Sequence, residues 1–584
     1  MRPEIENKKT SALSILNKIS FHLDKKRKRD IKFVLFLSIL SSLAESVSIA
    51  MLVPFVSFFI NPDNYLFNSL FESFFVFLNI KTQKDILAAV SLGFISFVLL
   101  SCFVKLKYAK SSNLLTDNIT SDFRVKIFKF LLNQDYSYYF KHGSNEILSN
   151  LSQKTVAFTS MIFATINILN SILISSAIVI MLVINEPFYT PIIIGSILLF
   201  FFIIYKIKSL IVLEKGQIVN LNQNFMIDIF QNTVGYLPEI IIYNLKSFFL
   251  KTLAKLSQYT ARSGAEIRTI SMTPKIYLET FVIIFVVIAI YFSGLSERSI
   301  ETNISYLAIL AYGAQKTLPL INNVYSLAIN FKSAVPTVIT YLKILDSDNK
   351  DNKNEIDEED YETLPFKESI KIENISYQYE KNLPNILNNF SFDIAKGERI
   401  VIKGETGSGK STLVNIISGL FSPKKGKILV DGVEINSKNI KNWQKNIAIV
   451  PQTVFLNDAS VQENVAISLD KNFIDLEKVK ESCKIAQIYS FIESLPNKFD
   501  QRVGERGVRL SGGQRQRIGI ARSLYRDAKV IILDEPTNAL DPETEKLVMD
   551  SISNLSKDIT LIMISHSDKS LKYFDKIINL DKFK

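Results

Sequence analysis

The sequence predicts two domains of unlike class: an α-helical membrane domain of six transmembrane helices with long cytoplasmic extensions, then a soluble α/β domain built around a phosphate-binding loop. Three observations carry that prediction. Long apolar stretches are gathered in the first 330 of 584 positions. A charged stretch, DSDNKDNKNEIDEED at 346–360, then breaks the pattern and reads as a linker. Beyond it, β-branched runs (RIVIKG, NIAIVPQ, KVIILDEP, ITLIMISHS) alternate with helical stretches, the signature of a parallel sheet. The expected boundaries are a cytoplasmic N-terminal segment at 1–30, a transmembrane domain at 31–340, the linker at 341–366 and the α/β domain at 367–584.

Six apolar stretches are long enough to cross about 30 Å of hydrocarbon: 31–60, 86–108, 158–184, 187–205, 276–293 and 304–330. The sixth contains Gln315, Lys316, Asn322 and Asn323, so it reads as a span lining a cavity. The fifth opens with Lys275 and carries Glu279 one turn later, and a charge at such a depth is costly and functional by default. Either Lys275 faces an anionic group in a wet cavity, or it pairs with Glu279 at i,i+4. Residues 65–80 (YLFNSLFESFFVFLNI) suit an interfacial helix on the outer leaflet.

Lysine and arginine set the orientation. Segments 1–30, 109–157 and 206–275 hold 9, 6 and 9 of them, against 2, 0 and 1 in 61–85, 185–190 and 294–303. The basic segments belong in the cytoplasm, with the N-terminus and the α/β domain. This excess accounts for much of the net charge of +11, and no nucleic-acid module is present. The polar first 30 residues predict no cleavable signal peptide. The two cysteines, Cys102 and Cys483, lie in segments of different character and predict inert thiols rather than a disulfide.

GETGSGKS, Gly404 to Ser411, follows the strand RIVIK and opens the helix STLVNIISGL. This is the context a phosphate loop requires. The backbone N–H groups of Gly404, Glu405, Thr406, Gly407, Ser408 and Gly409 converge on phosphate oxygens, and the helix N-terminus from Lys410 to Thr412 adds positive potential. Lys410 would bridge the β- and γ-phosphates of ATP, and the Ser411 hydroxyl would ligate Mg²⁺. In KVIILDEPTNALD, Asp534 ends an apolar strand where it can hold that Mg²⁺, and Glu535 follows where a carboxylate can polarise an attacking water.

LSGGQ, Leu510 to Gln514, is not a second phosphate loop. With it the chain resembles an ATP-binding cassette (ABC) transporter of the exporter and flippase type, and the α/β domain a P-loop NTPase ABC cassette. The resemblance implies that Tyr379 stacks on adenine, that Gln452 contacts Mg²⁺ and senses the γ-phosphate, and that His566 is the switch histidine. It also implies that Ser511, Gly512, Gly513 and Gln514 complete the ATP site of a partner subunit, in a homodimer with two competent sites. VGERG before the signature, ALD ending at Asp541, and segments near Tyr138–Asn145 and Tyr236–Asn244 look like elements that communicate between domains.

In the membrane half, SSLAESVSIAMLVPFVSFFINP, TPKIYLETF and QKTLP resemble the lipid-linked oligosaccharide flippases of bacterial protein N-glycosylation. That resemblance implies ATP-driven transfer of a polyprenyl-pyrophosphate-linked glycan across the bacterial inner membrane. It places Lys275 and Lys316 where the family has arginines that meet pyrophosphate. A further basic position falls on Cys102 here, with Lys105 about one turn on. The alternatives are an exporter of another lipid, peptide or drug, and a membrane ATPase that regulates without pumping; intact Glu535 and His566 argue against the last.

Overall fold

The computed structural model describes residues 11–60, 83–185, 189–294, 300–351, 362–380, 383–468, 470–566 and 568–583. The interfacial helix expected at 65–80 lies outside the described residues. The chain forms two compact units, one of Met1–Gln134 with Lys141–Ile356, the other of Asp135–Phe140 with Asp357–Lys584.

The first unit is helical. It contains α1 (Ala12–Phe21), α2 (Lys25–Ile60) and α3 (Gln83–Leu132), with the short α4 (Tyr136–Lys141) between α3 and α5 falling mostly in the second unit. Then come α5 (Ser144–Leu151), α6 (Gln153–Asn185), α7 (Tyr189–Gly235), α8 (Leu237–Ile242), α9 (Lys246–Gly294) and α10 (Ile300–Asp351). Helices α3, α7, α9 and α10 run 50, 47, 49 and 52 residues. At 1.5 Å per residue that is about 70–78 Å, more than twice the hydrocarbon thickness, so each continues well past its apolar part. The long extensions expected beyond the spans are these helix halves.

The burial pattern is that of a multi-pass membrane domain. Leu99, Phe103 and Leu106 point outward at 65, 62 and 64% exposure. The interior holds hydroxyl and amide pairs among its buried apolar side chains. Ser38 Oγ donates to Asn170 Oδ1 at 2.8 Å, Asn323 Nδ2 to Ser171 Oγ at 3.0 Å, and the Ser271 and Ser326 hydroxyls lie 2.6 Å apart. Polar groups that bond across helices and apolar groups that face out are what hydrocarbon demands. Among the described residues, four segments are long and apolar enough to cross a membrane: Lys25–Ser48, Ser91–Leu132, Glu146–Ile180 and Gly195–Gly235. The fifth and sixth expected spans fall on α9 and α10, whose side chains are described only in part there.

One expectation is corrected. The linker expected from 341 begins later, because α10 continues to Asp351. Tyr341, Leu342 and Leu345 are buried, and Asp346 accepts hydrogen bonds from Lys18 Nζ at 2.5 Å and pairs with His22 Nε2 at 3.3 Å. Packing against α1 carries the helix into a stretch whose composition alone reads as irregular.

The second unit holds two sheets. A five-stranded parallel sheet has the order β6-β7-β8-β3-β9, from β3 (Arg399–Lys403), β6 (Ile447–Val450), β7 (Val530–Asp534), β8 (Thr560–Ile564) and β9 (Lys576–Asn579). A four-stranded antiparallel sheet has the order β2-β1-β4-β5, from β1 (Ser369–Tyr377), β2 (Leu387–Ala395), β4 (Lys425–Val430) and β5 (Val433–Glu434). Strands β7 and β8 read as continuous apolar runs because helices cover both faces of a parallel sheet. Those that matter for the site are α11 (Lys410–Ile417), α12 (Gly512–Leu524) and α13 (Pro542–Ser553). Within this unit the ring of Tyr136, on α4, lies 5.7 Å from that of Phe421.

Candidate functional site

The phosphate loop joins β3 to α11, at the carboxyl ends of the parallel strands. Gly409, the N-cap of α11, has φ of 96°, and a Cβ there would come within 2.8 Å of Ile386 Cγ2. Only glycine fits both conditions. Lys410 is buried, and its Nζ donates to the carbonyls of Gly404 and Glu405 at 2.8 and 2.9 Å, so the ammonium is folded over the loop. The Glu405 N–H donates to Asp581 Oδ1 at 3.0 Å, which ties the loop to the C-terminal segment.

Ser411 and Asp534 come together: the Ser411 hydroxyl donates to Asp534 Oδ2 at 3.4 Å. Burial raises the pKa of Asp534, the neighbouring Glu535 charge adds to that, and the Ser411 hydrogen bond and Lys410 oppose it. A half-buried carboxylate pushed upward beside a hydroxyl oxygen is a hard-donor pair that a divalent cation would stabilise. The pair suits Mg²⁺, which takes few protein ligands and fills its shell with phosphate and water.

Glu535 leaves β7 with φ of 50°, the left-handed region that a non-glycine residue enters at some cost. Its backbone is fixed from two sides. Its N–H donates to Ile564 O at 3.1 Å, and its carbonyl accepts from Gln516 Nε2 on α12 at 2.9 Å. Gln452 Nε2 donates to Glu535 Oε2 at 2.7 Å, and His566 Nε2 lies 3.2 Å from Oε1. The base, the sensing glutamine and the switch histidine expected from the sequence therefore share one carboxylate. Asn538, which the sequence reading passed over, donates to Oε2 as well.

Tyr379, expected to stack on adenine, is held from three sides. Its hydroxyl lies 3.0 Å from Thr412 Oγ1, and its ring stands edge-on to Tyr377 and Phe421 at 5.4 and 5.7 Å. Ser511 and Gln514 bond each other. Ser511 caps α12 by accepting from the Gln514 N–H at 3.2 Å, and the Ser511 N–H donates to Gln514 Oε1 at 2.8 Å. Gly513 packs against the segment after Glu535, where a Cβ would lie 2.9 Å from Ala539 O.

The expected cavity lysines fare differently. Lys275 is exposed and pairs with Glu279 at 3.7 Å, the i,i+4 alternative. Lys105 is paired with Glu45 of α2, a residue the sequence reading did not single out. The only signal for it was a lone carboxylate inside an apolar stretch. Both side chains line a cavity of about 510 Å³ with Ser41, Tyr108 and Asn170. The Lys316 side chain lies outside the described residues.

Comparison with known proteins agrees with this geometry. Residues 387–538 match the family model described as ABC transporter. An ATP-dependent lipid A-core flippase of Haemophilus influenzae is 36% identical over 251 residues, 43% of this chain and 42% of that protein. ATP-binding cassette sub-family B member 5 of Mus musculus is 40% identical over 195 residues, 33% of this chain and 16% of that one. The match thus spans well under half the length of these relatives. A solved structure of a bacterial Atm1-family ABC exporter with ATP bound superposes with a TM-score of 0.74 at 19% identity, covering 96% of this chain and 94% of that one. The chain has the fold of that exporter, a domain of long apolar helices followed by an α/β domain whose residues 387–538 match the ABC transporter model.

Proposed function

We propose that the protein hydrolyses ATP to move a lipid across the bacterial inner membrane, and that its cargo is a polyprenyl-pyrophosphate-linked oligosaccharide or related glycolipid carried from the cytoplasmic to the outer leaflet. The observation that carries the ATPase reading is the convergence of Gln452, His566 and Asp534 with Glu535 at the mouth of the phosphate loop. Lys410 and the loop amides hold the β- and γ-phosphates. Mg²⁺, held by Ser411 and Asp534, would neutralise the charge that develops there. Glu535 orients the attacking water and takes its proton as oxygen bonds to the γ-phosphorus. The bond to the bridging oxygen then breaks, its electron pair leaves with ADP, and phosphate is released. His566 keeps the carboxylate turned toward the water.

The second half of the reading is a homodimer. Ser511 and Gly513 sit at a helix N-terminus, ready-made for a γ-phosphate presented by a second subunit. The α8 tip supports a partner too, because Tyr236, Ile241, Ile242 and Tyr243 are exposed at 58, 53, 76 and 68%. Lipid cargo is supported by the outward apolar surface around a polar helix interior and by similarity to proteins named as lipid A-core flippases. That similarity also favours a second cargo, a lipid A-like glycolipid. Measuring which lipids stimulate ATP hydrolysis in liposomes decides between them. Pyrophosphate-linked glycolipid should stimulate several-fold, whereas stimulation by lipid A alone would select the second cargo.

A further inference from the structure

We propose that Asn538 is a positioning residue for Glu535, the second donor on one carboxylate oxygen; the inference rests on the hydrolytic reading of this site. The Glu535 side chain is 12% exposed, and three groups surround its carboxylate. Oε2 takes Gln452 Nε2 at 2.7 Å and Asn538 Nδ2 at 2.5 Å, while Oε1 faces His566. Two N–H donors on one oxygen remove the rotation that would exchange the two oxygens. Oε1, beside the histidine, is then left as the oxygen that meets water.

Gln452 reaches Oε2 from another element, the loop that follows β6, 83 residues away in sequence. Asn538 is the local donor, since it lies three residues from Glu535 in the same turn and its N–H approaches the Glu535 carbonyl at 3.5 Å. The next residue, Ala539, packs against the signature glycines: a Cβ on Gly512 would meet Ala539 Cβ at 3.4 Å, and one on Gly513 would meet Ala539 O at 2.9 Å. Asn538 therefore sits on a segment braced between Glu535 and the start of α12. A displacement of the signature would reach the carboxylate through it.

The test uses the full-length protein in nanodiscs, as wild type and as Glu535→Gln, Asn538→Ala, Asn538→Asp and Asn538→Ser. Asn538→Asp keeps the shape and loses the donor, while Asn538→Ser keeps a shorter donor. The expected result is a fall in kcat of about tenfold or more for the Ala and Asp variants, with KM for ATP within about twofold and partial rescue in Ser. Thermal midpoints should match wild type. Turnover by Asn538→Ala and Asn538→Asp within about twofold of wild type overturns the proposal. So does a loss that appears as raised KM, or as a lowered thermal midpoint in every variant. If wild type itself hydrolyses no ATP, the hydrolytic reading fails and this inference with it. If Glu535→Gln is inactive while the Asn538 variants are unaffected, this inference alone fails.

Discussion

Lys105 of α3 and Glu45 of α2 form an ion pair between two helices that carry apolar stretches of membrane length, with the Glu45 side chain 11% exposed and Lys105 41%. Glu45 lies 14 residues past the start of the first apolar stretch at 31, about 21 Å along a helix. Removing one partner of a buried pair strands the other charge, whereas removing both does not. Lys105→Met should therefore destabilise the protein by roughly 1–3 kcal/mol, below the full penalty because Lys105 is partly exposed. Lys105→Met with Glu45→Gln should recover most of that loss. Thermal unfolding of both variants in nanodiscs checks it, and equal loss in both would make the pair incidental.

The signature should act in trans. Dimers mixing Lys410→Ala and Ser511→Ala subunits place both lesions in one ATP site and leave the other whole. Such heterodimers should keep part of the ATPase, while each homodimeric variant loses nearly all. Site-resolved nucleotide trapping identifies the surviving site.

The cargo reading separates Lys316 from Lys275. Lys316→Ala should impair glycolipid translocation while basal ATPase largely survives, and Lys316→Arg should be tolerated because a guanidinium binds phosphate in bidentate fashion. Lys275→Ala should do less, since that ammonium is exposed and already paired with Glu279. Translocation and ATPase measured on the same proteoliposomes test both.

Asp431 gives the cassette a pH-dependent brace. Burial works to raise its pKa, but the N–H groups of Ser369, Lys367 and Glu368 outweigh it and hold the carboxyl below its usual range. A depressed folded pKa contributes stability that is present above the unfolded value and lost as pH falls through the folded one. Asp431→Asn should therefore lower the thermal midpoint at pH 7, and the difference should narrow below about pH 4. A gap unchanged at low pH would assign the effect to packing.

The cassette was legible because its chemistry is local. A phosphate loop needs Gly409, Lys410 and Ser411 in sequence between a strand and a helix, and Asp534 with Glu535 must follow another strand. What the sequence hid was pairing across elements. Nothing near Glu45 points to Lys105, 60 residues on, and nothing near Glu405 points to Asp581. Asn538 reads as an ordinary turn amide until the fold sets it against a carboxylate. The end of α10 was misread for the same reason: tertiary contacts of Asp346 with Lys18 and His22 override a composition that suits a linker.

On the proposed function, hydrolysis at Glu535 drives lipid across the bilayer. The most direct measurement is translocation of a fluorescent pyrophosphate-linked glycolipid in proteoliposomes holding wild type or Glu535→Gln, with ATP and Mg²⁺. Wild type should move the lipid in step with ATP turnover. Glu535→Gln should bind ATP with unchanged affinity, lose about 10²-fold or more of its turnover, and leave the lipid in its original leaflet. Turnover by Glu535→Gln within threefold of wild type, or translocation that proceeds without it, would contradict the account.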